Sequence, residues 1–590
     1  MHPFPKGEGV PARALLTAAL VALAAVPVAA ATLGVRPDYV AGPYPTGPFT
    51  FVNQAVGAGI FYNSGFLGGS AVIGNVEAGY IWDEQEVFDR SGLGLGPAVE
   101  LYVAGTDVDG EYDFHATMVG HVLAGTGYVA ATGSTAAGYS YVGTGLAPLA
   151  RLWSGAIATA YATSTNAIGV FDSTPASTIP VYRQFFQGIA GTACDVINSS
   201  FGYEDPAALA PESLAVDALA FQNPTVTFVA SAGNSDTAPV GAPGACYNGI
   251  TVGSVGGTNF RTPSAFSSRG PVDFYDPASD TLFEGVRAAV DIAAPGENGF
   301  LAAYLGSTGG LAPLTSITQD PSPTDLYFTN VDGTSFASPT VAGGIALMTD
   351  AAKGLLGMPA TALDARVVKA VLMASAARTE GWNNGQVVAG GVTRTTQALD
   401  WATGAGALDL TAAGRLYVES TTLDVTNPTG AVIGSNGWDL GTVAVGGHTD
   451  YAFSVAFGAA TELQVALDWF ADGTFDGLTD TAARTAFANL DLQVWRIVGG
   501  SFAALVAEST SLYNNEEFLR FTLPGPGQYG LRVSLPGMIY NVGLSPIVDQ
   551  TFGLAWNSII VPEPAAGFVA ALGLAVAAVV FRRRRPAPDG

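Results

Sequence analysis

The sequence predicts an α/β domain built on a parallel sheet, followed by an all-β sandwich domain. Over about residues 70–411, apolar runs typical of strands, such as Leu149–Trp153, alternate with helix-like segments such as Pro339–Ala352. This alternation predicts parallel strands joined by crossover helices. After about Tyr417 the pattern changes to alternating runs such as Leu463–Trp469, separated by turns. That change indicates an antiparallel sandwich.

Length and composition restrict the class of protein. The chain has 590 residues, too many for one core, and 48% of them are apolar, which excludes a disordered chain. Its formal net charge of −26 repels phosphate, so we expect no nucleic-acid partner. Two cysteines, Cys194 and Cys246, exclude a scaffold of many disulfides. One bridge and two buried thiols both remain open.

The N-terminus has the pattern of a secretory signal. Lys6 and Arg13 precede an apolar run, Ala14–Ala25, and small residues follow at Val28–Ala31. We expect residues 1–31 to be removed by a signal peptidase. An uncleaved membrane anchor is the alternative.

The C-terminus, residues 561–590, has three parts in order. Val561–Pro564 contains Pro-Glu-Pro, Ala565–Phe581 is apolar, and Arg582–Arg585 closes the tail. An apolar run of this length is at the lower limit of a membrane span of roughly 17–25 residues, and the arginines would stay on the cytoplasmic side.

This tail resembles the PEP-CTERM sorting signal of Gram-negative bacteria. The resemblance implies an exosortase-type processing enzyme, a membrane contact through residues 565–581 before processing, and a protein exported across the inner membrane to the cell surface or medium. A plain C-terminal membrane anchor is the alternative, and it too leaves the body of the protein outside.

The most informative motif is Gly-Thr-Ser-Phe-Ala-Ser-Pro-Thr-Val-Ala-Gly at Gly333–Gly343. Ser335 lies between a turn and an apolar helix in which Pro339 falls in the first turn, where proline is tolerated. The free N–H groups and the dipole of a helix start favour a developing anion. A nucleophilic serine there can offer its own N–H to the oxyanion it creates, although a lone serine would be an ordinary N-cap.

This string closely resembles the nucleophile motif of the subtilisin family, with Phe336 where Met is commoner. The resemblance covers about residues 70–411. It implies a subtilisin-like three-layer fold, a serine-type endopeptidase that hydrolyses polypeptides, and a triad in the chain order acid, histidine, serine. Further strings in family order support it: Gly145–Pro148, Asn198–Gly202, Phe266–Pro271 and Asp291–Gly296.

The resemblance assigns the base to His115. The segment Phe114–Gly120 is similar to the family's His-Gly-Thr-His-Val-Ala-Gly, although two positions depart from it. A histidine in this context, upstream of Ser335, is expected to act as general base. We expect His121 to serve packing and His448 to lie at the surface.

The acid is expected at Glu77. The first strand ends in Glu77-Ala78-Gly79, where the family has Asp-Ser/Thr-Gly. A glutamate can orient the imidazole as aspartate does, but its side chain is one methylene longer. A decayed site is one alternative, which would make the chain a catalytically inactive surface protein with a binding or adhesive role. Other acids are the second alternative: Asp83, Asp109 and Asp113.

The remaining site residues also follow from the resemblance. The strand-like segment Phe228–Asn234 ends in Gly-Asn, and Asn234 corresponds to the family's side-chain donor to the oxyanion. An extended substrate would add a strand beside one wall and face a second wall. The first wall comprises Ser199, Ser200, Phe201 and Gly202, and the second comprises Ser231, Ala232 and Gly233.

No cofactor or metal ligand is assigned. The acidic turn Asp107–Glu111 has a mild likeness to a calcium loop, but a solvated acidic turn is the favoured interpretation. A structural calcium therefore stays open. The predicted organisation is a signal (1–31), an N-terminal extension (32–69), the catalytic domain (70–415), the sandwich (416–560) and the sorting tail (561–590).

Overall fold

The computed structural model describes residues 52–560, except 109, 127–143, 162–169, 305, 309–326, 356, 420, 424–430 and 459. The predicted signal, the start of the N-terminal extension and the sorting tail lie outside these residues. Among the helices of the described part, none is both long and apolar enough to cross a membrane.

The first part of the chain alternates strands with helices, as predicted. Its strands are β1 Val72–Glu77, β2 Val99–Ala104, β3 Arg151–Ala156, β4 Ala160–Tyr161, β5 Phe171–Asp172, β6 Val196–Ser199, β7 Thr227–Ser231, β8 Ile250–Gly256, β9 Thr262–Pro263, β10 Val272–Asp276, β11 Thr281–Arg287, β12 Ile292–Pro295, β13 Gly299–Ala302, β14 Tyr327–Val331, β15 Val387–Ala389 and β16 Val392–Thr395.

Its α-helices are α1 Val52–Ala55, α2 Gly59–Asn63, α3 Phe114–Ala124, α4 Pro175–Gln187, α5 Pro211–Gln222, α6 Thr334–Gly354, α7 Ala365–Ser375 and α8 Leu410–Gly414. Short 3₁₀ turns span Glu86–Phe88, Ser91–Leu93 and Ala360–Leu363, and one π turn spans Arg415–Glu419.

A parallel sheet forms the centre, in the order β12-β8-β7-β6-β1-β3-β2, with the short β9 added antiparallel to β8. Helices α3, α6 and α7 cover one face, where Ile73 of β1 packs in their core. Helices α4 and α5 cover the other face and pack with Val72 and Val76. The predicted three-layer α/β fold is therefore confirmed.

The alternation along β1 determines which way its last residue points. Successive side chains of a strand face opposite sides of the sheet, so Glu77 shares the face of Ile73 and Asn75, beneath α3 and α6. Because β1, β6 and β7 are parallel neighbours, their carboxyl ends meet at one edge. Ligand sites of open parallel sheets lie at that edge.

The C-terminal part is all β, as predicted. Its strands are β17 Thr421–Leu423, β18 Ala431–Ile433, β19 Gly437–Ala444, β20 His448–Phe457, β21 Thr461–Trp469, β22 Asp472–Asp476, β23 Thr481–Val498, β24 Ser501–Ser509, β25 Glu516–Thr522, β26 Gly527–Asn541 and β27 Asp549–Ile560.

Two sheets enclose the core of this sandwich. One has the order β15-β16-β24-β23-β26-β20-β18, with β22 paired to β23, and the other has the order β17-β19-β27-β21-β25. Buried aromatic side chains, including Trp469, Tyr451 and Trp556, fill the space between them. The hairpin β15–β16 precedes α8 in the chain yet extends the first sheet by pairing parallel to β24.

The two parts of the protein share a buried ionic contact. Helix α7 carries Lys369, whose ammonium lies 2.9 Å from Asp291, 3.3 Å from Asp468 and 3.7 Å from Glu516. Burial alone would lower the pKa of Lys369, but the carboxylates outweigh it and the pKa lies above its ordinary value. Burial raises the pKa of Glu516 to about 7.

The two cysteines are not bridged. Cys194 and Cys246 are both free and buried in the core beneath α4 and α5. Burial raises the pKa of each thiol. Of the two possibilities that the sequence left open, the structure shows two buried thiols rather than a disulfide.

Replacing Lys369 by methionine should destabilise the whole chain. The substitution leaves three carboxylates facing one another without a cation, which costs about 3–5 kcal/mol for a buried ion pair that loses one partner. The free energy of unfolding from urea titration measures the loss. Arg151→Met is the control, because the Arg151–Glu100 pair is 38% exposed on each side. Equal urea midpoints for the two variants would contradict the expectation.

Candidate active site

Glu77 lies at the carboxyl end of β1 with only 1% of its side chain exposed. Its Oε2 is 3.0 Å from Nδ1 of His115, and its Oε1 accepts a 3.1 Å hydrogen bond from the backbone N–H of Ser200. Both carboxylate oxygens therefore have partners, one on α3 and one just after β6. The glutamate side chain is long enough to reach both.

His115 lies in the first turn of α3. The carboxylate of Asp113 caps this helix by accepting a 2.8 Å hydrogen bond from the N–H of Ala116. The His115 ring packs against Phe336, with ring centroids 5.8 Å apart, and 23% of its side chain is exposed. Because an ionised Glu77 can only accept, Nδ1 must donate, which leaves Nε2 free to accept a proton.

The charge around His115 favours its protonated form. Burial alone would lower the pKa of the imidazole, but the charge and hydrogen bond of Glu77 and the charge of Asp113 outweigh it. The pKa of His115 therefore lies above its ordinary value of 6.5. Burial also raises the pKa of Asp113 to about 6, although the charge of His115 and the Ala116 N–H oppose this.

The carboxylates considered as alternatives to Glu77 are not hydrogen-bonded to His115 within the described residues. Asp113 caps α3, and its hydrogen bond goes to the backbone of Ala116 rather than to the imidazole. Asp83 interacts with the hydroxyl of Tyr102. Asp109 lies outside the described residues. Glu77 is thus the carboxylate that the structure brings to His115.

Ser335 lies in the first turn of α6 and is 7% exposed. Its Oγ donates a 3.2 Å hydrogen bond to the carbonyl oxygen of Ser200, and Oγ of Ser200 donates back to the Ser335 carbonyl at 2.9 Å. Among the hydrogen bonds of the described residues, none joins Ser335 to His115. Ser200 therefore contacts both the acid and the serine.

A buried polar network supports this arrangement from below. Asn198 on β6 donates to Oδ1 of Asn75 at 3.1 Å and to Oγ of Ser200 at 3.0 Å. Ser338, one turn after the serine on α6, donates to Oδ1 of Asn198 at 2.7 Å. Hydrogen-bonded side chains in a low-dielectric interior fix each other's geometry. Sequence reasoning missed this network, and its only local signal is asparagine inside otherwise apolar strands.

Asn234 follows β7 and lies at the start of α6. Its Oδ1 accepts hydrogen bonds from the N–H of Thr334 at 2.8 Å and from the Thr334 hydroxyl at 2.9 Å. That hydroxyl accepts in turn from the N–H of Gly233 at 3.1 Å. The two acceptor contacts fix the orientation of the amide of the exposed Asn234. Among the hydrogen bonds of the described residues, none uses its Nδ2 hydrogens.

The first predicted substrate wall follows β6. Ser199 is fully buried, and its hydroxyl pairs with that of Tyr182 at 3.1 Å, so its side chain faces the core. Phe201 packs against Phe171, with ring centroids 5.8 Å apart, and Gly202 is exposed. The hydroxyls of Ser199 and Ser200 thus both have partners within the protein.

The second predicted wall follows β7. Ser231 and Ala232 are buried, and Gly233 has φ +106°, a conformation that side chains rarely adopt. The two walls leave adjacent parallel strands at the edge where Glu77 also ends. This arrangement suits an extended chain lying between two backbone edges.

The two other histidines within the described residues lie away from this cluster, as expected. His121 is 3% exposed, and its Nδ1 accepts a 3.0 Å hydrogen bond from the N–H of Ala302. His448 is 49% exposed at the start of β20, 3.7 Å from Asp450. Within the described ranges, no group of three or more His, Cys, Asp or Glu side chains could hold a metal ion.

Residues 99–406 match the sequence profile of the Subtilase family. Since this match covers more than half of the chain, the protein belongs to that family of serine-type peptidases. No curated protein matches the chain. His115, Asn234 and Ser335 lie inside the matched residues, whereas Glu77 lies before them.

The pKa of His115 should depend on Glu77. We expect an NMR titration of the imidazole Cε1–H signal to give a pKa above 6.5, because the neighbouring carboxylate stabilises the imidazolium. Glu77→Gln removes that charge and should lower the pKa of His115. An unaltered His115 titration would show that the 3.0 Å contact with Glu77 does not exist in solution.

Proposed function

We propose that this protein is a secreted endopeptidase that hydrolyses peptide bonds through an acyl-enzyme. Ser335 is the nucleophile, His115 the base, Glu77 the acid and Asn234 a donor to the oxyanion. The observation that carries the proposal is the hydrogen bond between the buried carboxylate of Glu77 and the imidazole of His115, at the sheet edge where α6 begins.

In the first step, Nε2 of His115 takes the proton from Ser335 while Oγ attacks the substrate carbonyl. The hydroxyl must first exchange its hydrogen bond to the Ser200 carbonyl for one to the imidazole. Catalytic hydrogen bonds often align only once substrate is bound. The negative charge of Glu77 stabilises the imidazolium that forms, consistent with the raised pKa of His115.

The tetrahedral intermediate carries its negative charge on the former carbonyl oxygen. Two donors are available for it, the backbone N–H of Ser335 at the start of α6 and the Nδ2 group of Asn234. His115 then protonates the leaving amine. In the second half of the reaction, His115 takes a proton from water, which attacks the acyl-enzyme, and then returns a proton to Oγ of Ser335. The substrate backbone lies extended beside Ser199–Gly202 and adds a strand by main-chain hydrogen bonds, with Ser231–Gly233 as the second wall.

Export is part of the proposal and rests on the two ends of the sequence. A signal peptidase would remove residues 1–31, and an exosortase-type enzyme would process the tail after the membrane segment 565–581 has held the protein at the inner membrane. The catalytic part would then act on polypeptides at the cell surface or in the medium.

A fluorophosphonate probe tests the nucleophile. The wild-type protein should be labelled covalently, because a serine activated by histidine attacks phosphorus readily. Ser335→Ala should abolish labelling, and Ser279→Ala, which removes an exposed turn hydroxyl, should leave it unchanged. In-gel fluorescence measures both. An unlabelled wild-type protein would instead favour a non-catalytic surface protein.

The length of the acid should matter. Glu77→Asp keeps the charge but cannot reach both His115 and the N–H of Ser200, so we expect kcat to fall by about 10²-fold, the usual consequence of a 1 Å misplacement. Asp113→Asn keeps a good helix cap and should stay near wild type at pH 8. Steady-state peptide hydrolysis measures both variants. A kcat for Glu77→Asp at or above the wild-type value would contradict the role given to the longer side chain.

A further inference from the structure

Residues 241–248, here called the cleft loop, lie behind both proposed substrate walls. On one side, the carbonyl of Ala242 accepts a 3.0 Å hydrogen bond from the N–H of Tyr203, directly after the first wall. On the other side, Gly244 packs so closely against the carbonyl of Ser231 that an added Cβ would lie 2.9 Å from it. A shift of the cleft loop would therefore change the spacing of the two walls.

Asp217 on α5 holds the end of the cleft loop. Its Oδ1 accepts hydrogen bonds from the backbone N–H groups of Tyr247, at 2.7 Å, and Asn248, at 2.9 Å. The side chain of Asp217 is fully buried, and burial raises its pKa. A buried carboxylate needs a cation to stay ionised and to keep accepting both bonds.

The sandwich provides that cation. Arg484 of β23 reaches into the first part of the protein, where its Nε lies 2.7 Å from Oδ2 of Asp217. Its guanidinium lies 4.5 Å from the ring centroid of Tyr247, and it also donates to the carbonyl of Ala208. Planar guanidinium groups suit such a combination of carboxylate pairing and ring stacking. Only 5% of the Arg484 side chain is exposed.

Two further sandwich residues hold the same end of the cleft loop. Asn515 donates to the carbonyl of Tyr247 at 2.8 Å, and the N–H of Ala471 donates to Oδ1 of Asn248 at 2.8 Å. From the other side, Arg287 lies over the Tyr247 ring at 4.0 Å and donates to the carbonyl of Ala245. The position of the cleft loop thus depends on both parts of the protein.

We propose that Arg484 is a positioning residue of the peptidase site, acting through Asp217 and the cleft loop on the two walls that hold the substrate. This inference rests on the proposed function. The sandwich thereby contributes to the placement of a polypeptide. It contributes little to the reactivity of Ser335, whose own contacts are to Ser200 and the core of α6.

The test compares peptide hydrolysis with labelling by the fluorophosphonate probe, in the full-length protein. The probe reacts through Ser335 and His115 and makes little contact with the two substrate walls. The amount of label therefore measures the number of folded active sites. Turnover of a peptide of six or more residues is then expressed per labelled site, which removes the effect of any unfolded fraction. Arg484→Met removes the cation, and Arg484→Lys keeps the charge but loses the planar group.

Arg183→Met is the matched control. The Arg183–Asp480 pair also joins the first part of the protein to the sandwich, with Nε 2.7 Å from Oδ1, but Arg183 lies on α4 and does not contact the cleft loop. It should leave kcat/KM per labelled site unchanged.

We expect kcat/KM per labelled site to fall by about 10–10² for Arg484→Met, mainly through KM, and less for Arg484→Lys. If Arg484→Met does not fold, a smaller fall in kcat/KM per labelled site in Arg484→Lys, again mainly through KM, supports the inference. Values equal to wild type in every folded Arg484 variant would overturn it, as would an equal fall in Arg183→Met. A wild-type protein that is not labelled overturns the proposed function itself, and the inference with it.

Discussion

The buried carboxylate of Glu77 is the group on which the geometry of the site depends. Transferring an ion from water into a protein interior costs several kcal/mol unless hydrogen bonds and opposite charges compensate it. Here the compensation comes from the imidazole of His115 and the N–H of Ser200. Each belongs to a different element, α3 and the chain after β6, so the carboxylate requires both elements in their observed positions.

The serine depends on the same centre through Ser200. The backbone of Ser200 binds Glu77 through its N–H and Ser335 through its carbonyl, and its hydroxyl returns a bond to α6. Asn198 and Ser338 then tie β6 to the buried face of α6. These hydrogen bonds hold β6 and α6 together beneath the site, whereas 23% of the His115 side chain is exposed to solvent. That asymmetry suits a peptidase, which needs fixed catalytic groups and an open path for the chain it cuts.

Much of this was predictable from local sequence, for physical reasons that particular residues illustrate. The Gly333–Gly343 string predicts a helix that starts at the serine, because a Gly-Thr turn precedes an apolar run rich in small residues. The first N–H groups of such a helix have no partner within it and are available to the site. Glu77 was predictable only through the resemblance, because it ends the first apolar strand where the subtilisin family has Asp-Ser/Thr-Gly. The hairpin β15–β16 was not, because its four-residue strand β16 pairs with β24, more than 100 residues later. Arg484 and Asp217 are likewise 267 positions apart, and no periodicity connects them.

The two buried charge clusters at the junction explain why the sandwich and the catalytic part form one structure. Lys369 of α7 is surrounded by Asp468 and Glu516 of the sandwich, and Arg484 of the sandwich is paired with Asp217 of α5. Each part thus supplies a cation to buried carboxylates of the other part. Without that cation the carboxylates would be buried and unpaired. Separating the parts would expose these charges and the apolar face of α7, so the catalytic core is not independent of its C-terminal neighbour.

The most direct measurement is a crystal structure of the protein after reaction with a peptidyl chloromethyl ketone. The serine oxygen adds to the ketone carbon of this reagent, and the histidine nitrogen displaces chloride from the adjacent methylene carbon. The reaction therefore reports whether the two atoms face neighbouring carbons of one bound ligand. We predict continuous density that runs from Oγ of Ser335 through the inhibitor to Nε2 of His115. The carboxylate of Glu77 should still accept a hydrogen bond from Nδ1 of the same imidazole. Density on neither residue, or an imidazole paired with another carboxylate, would contradict the assignment.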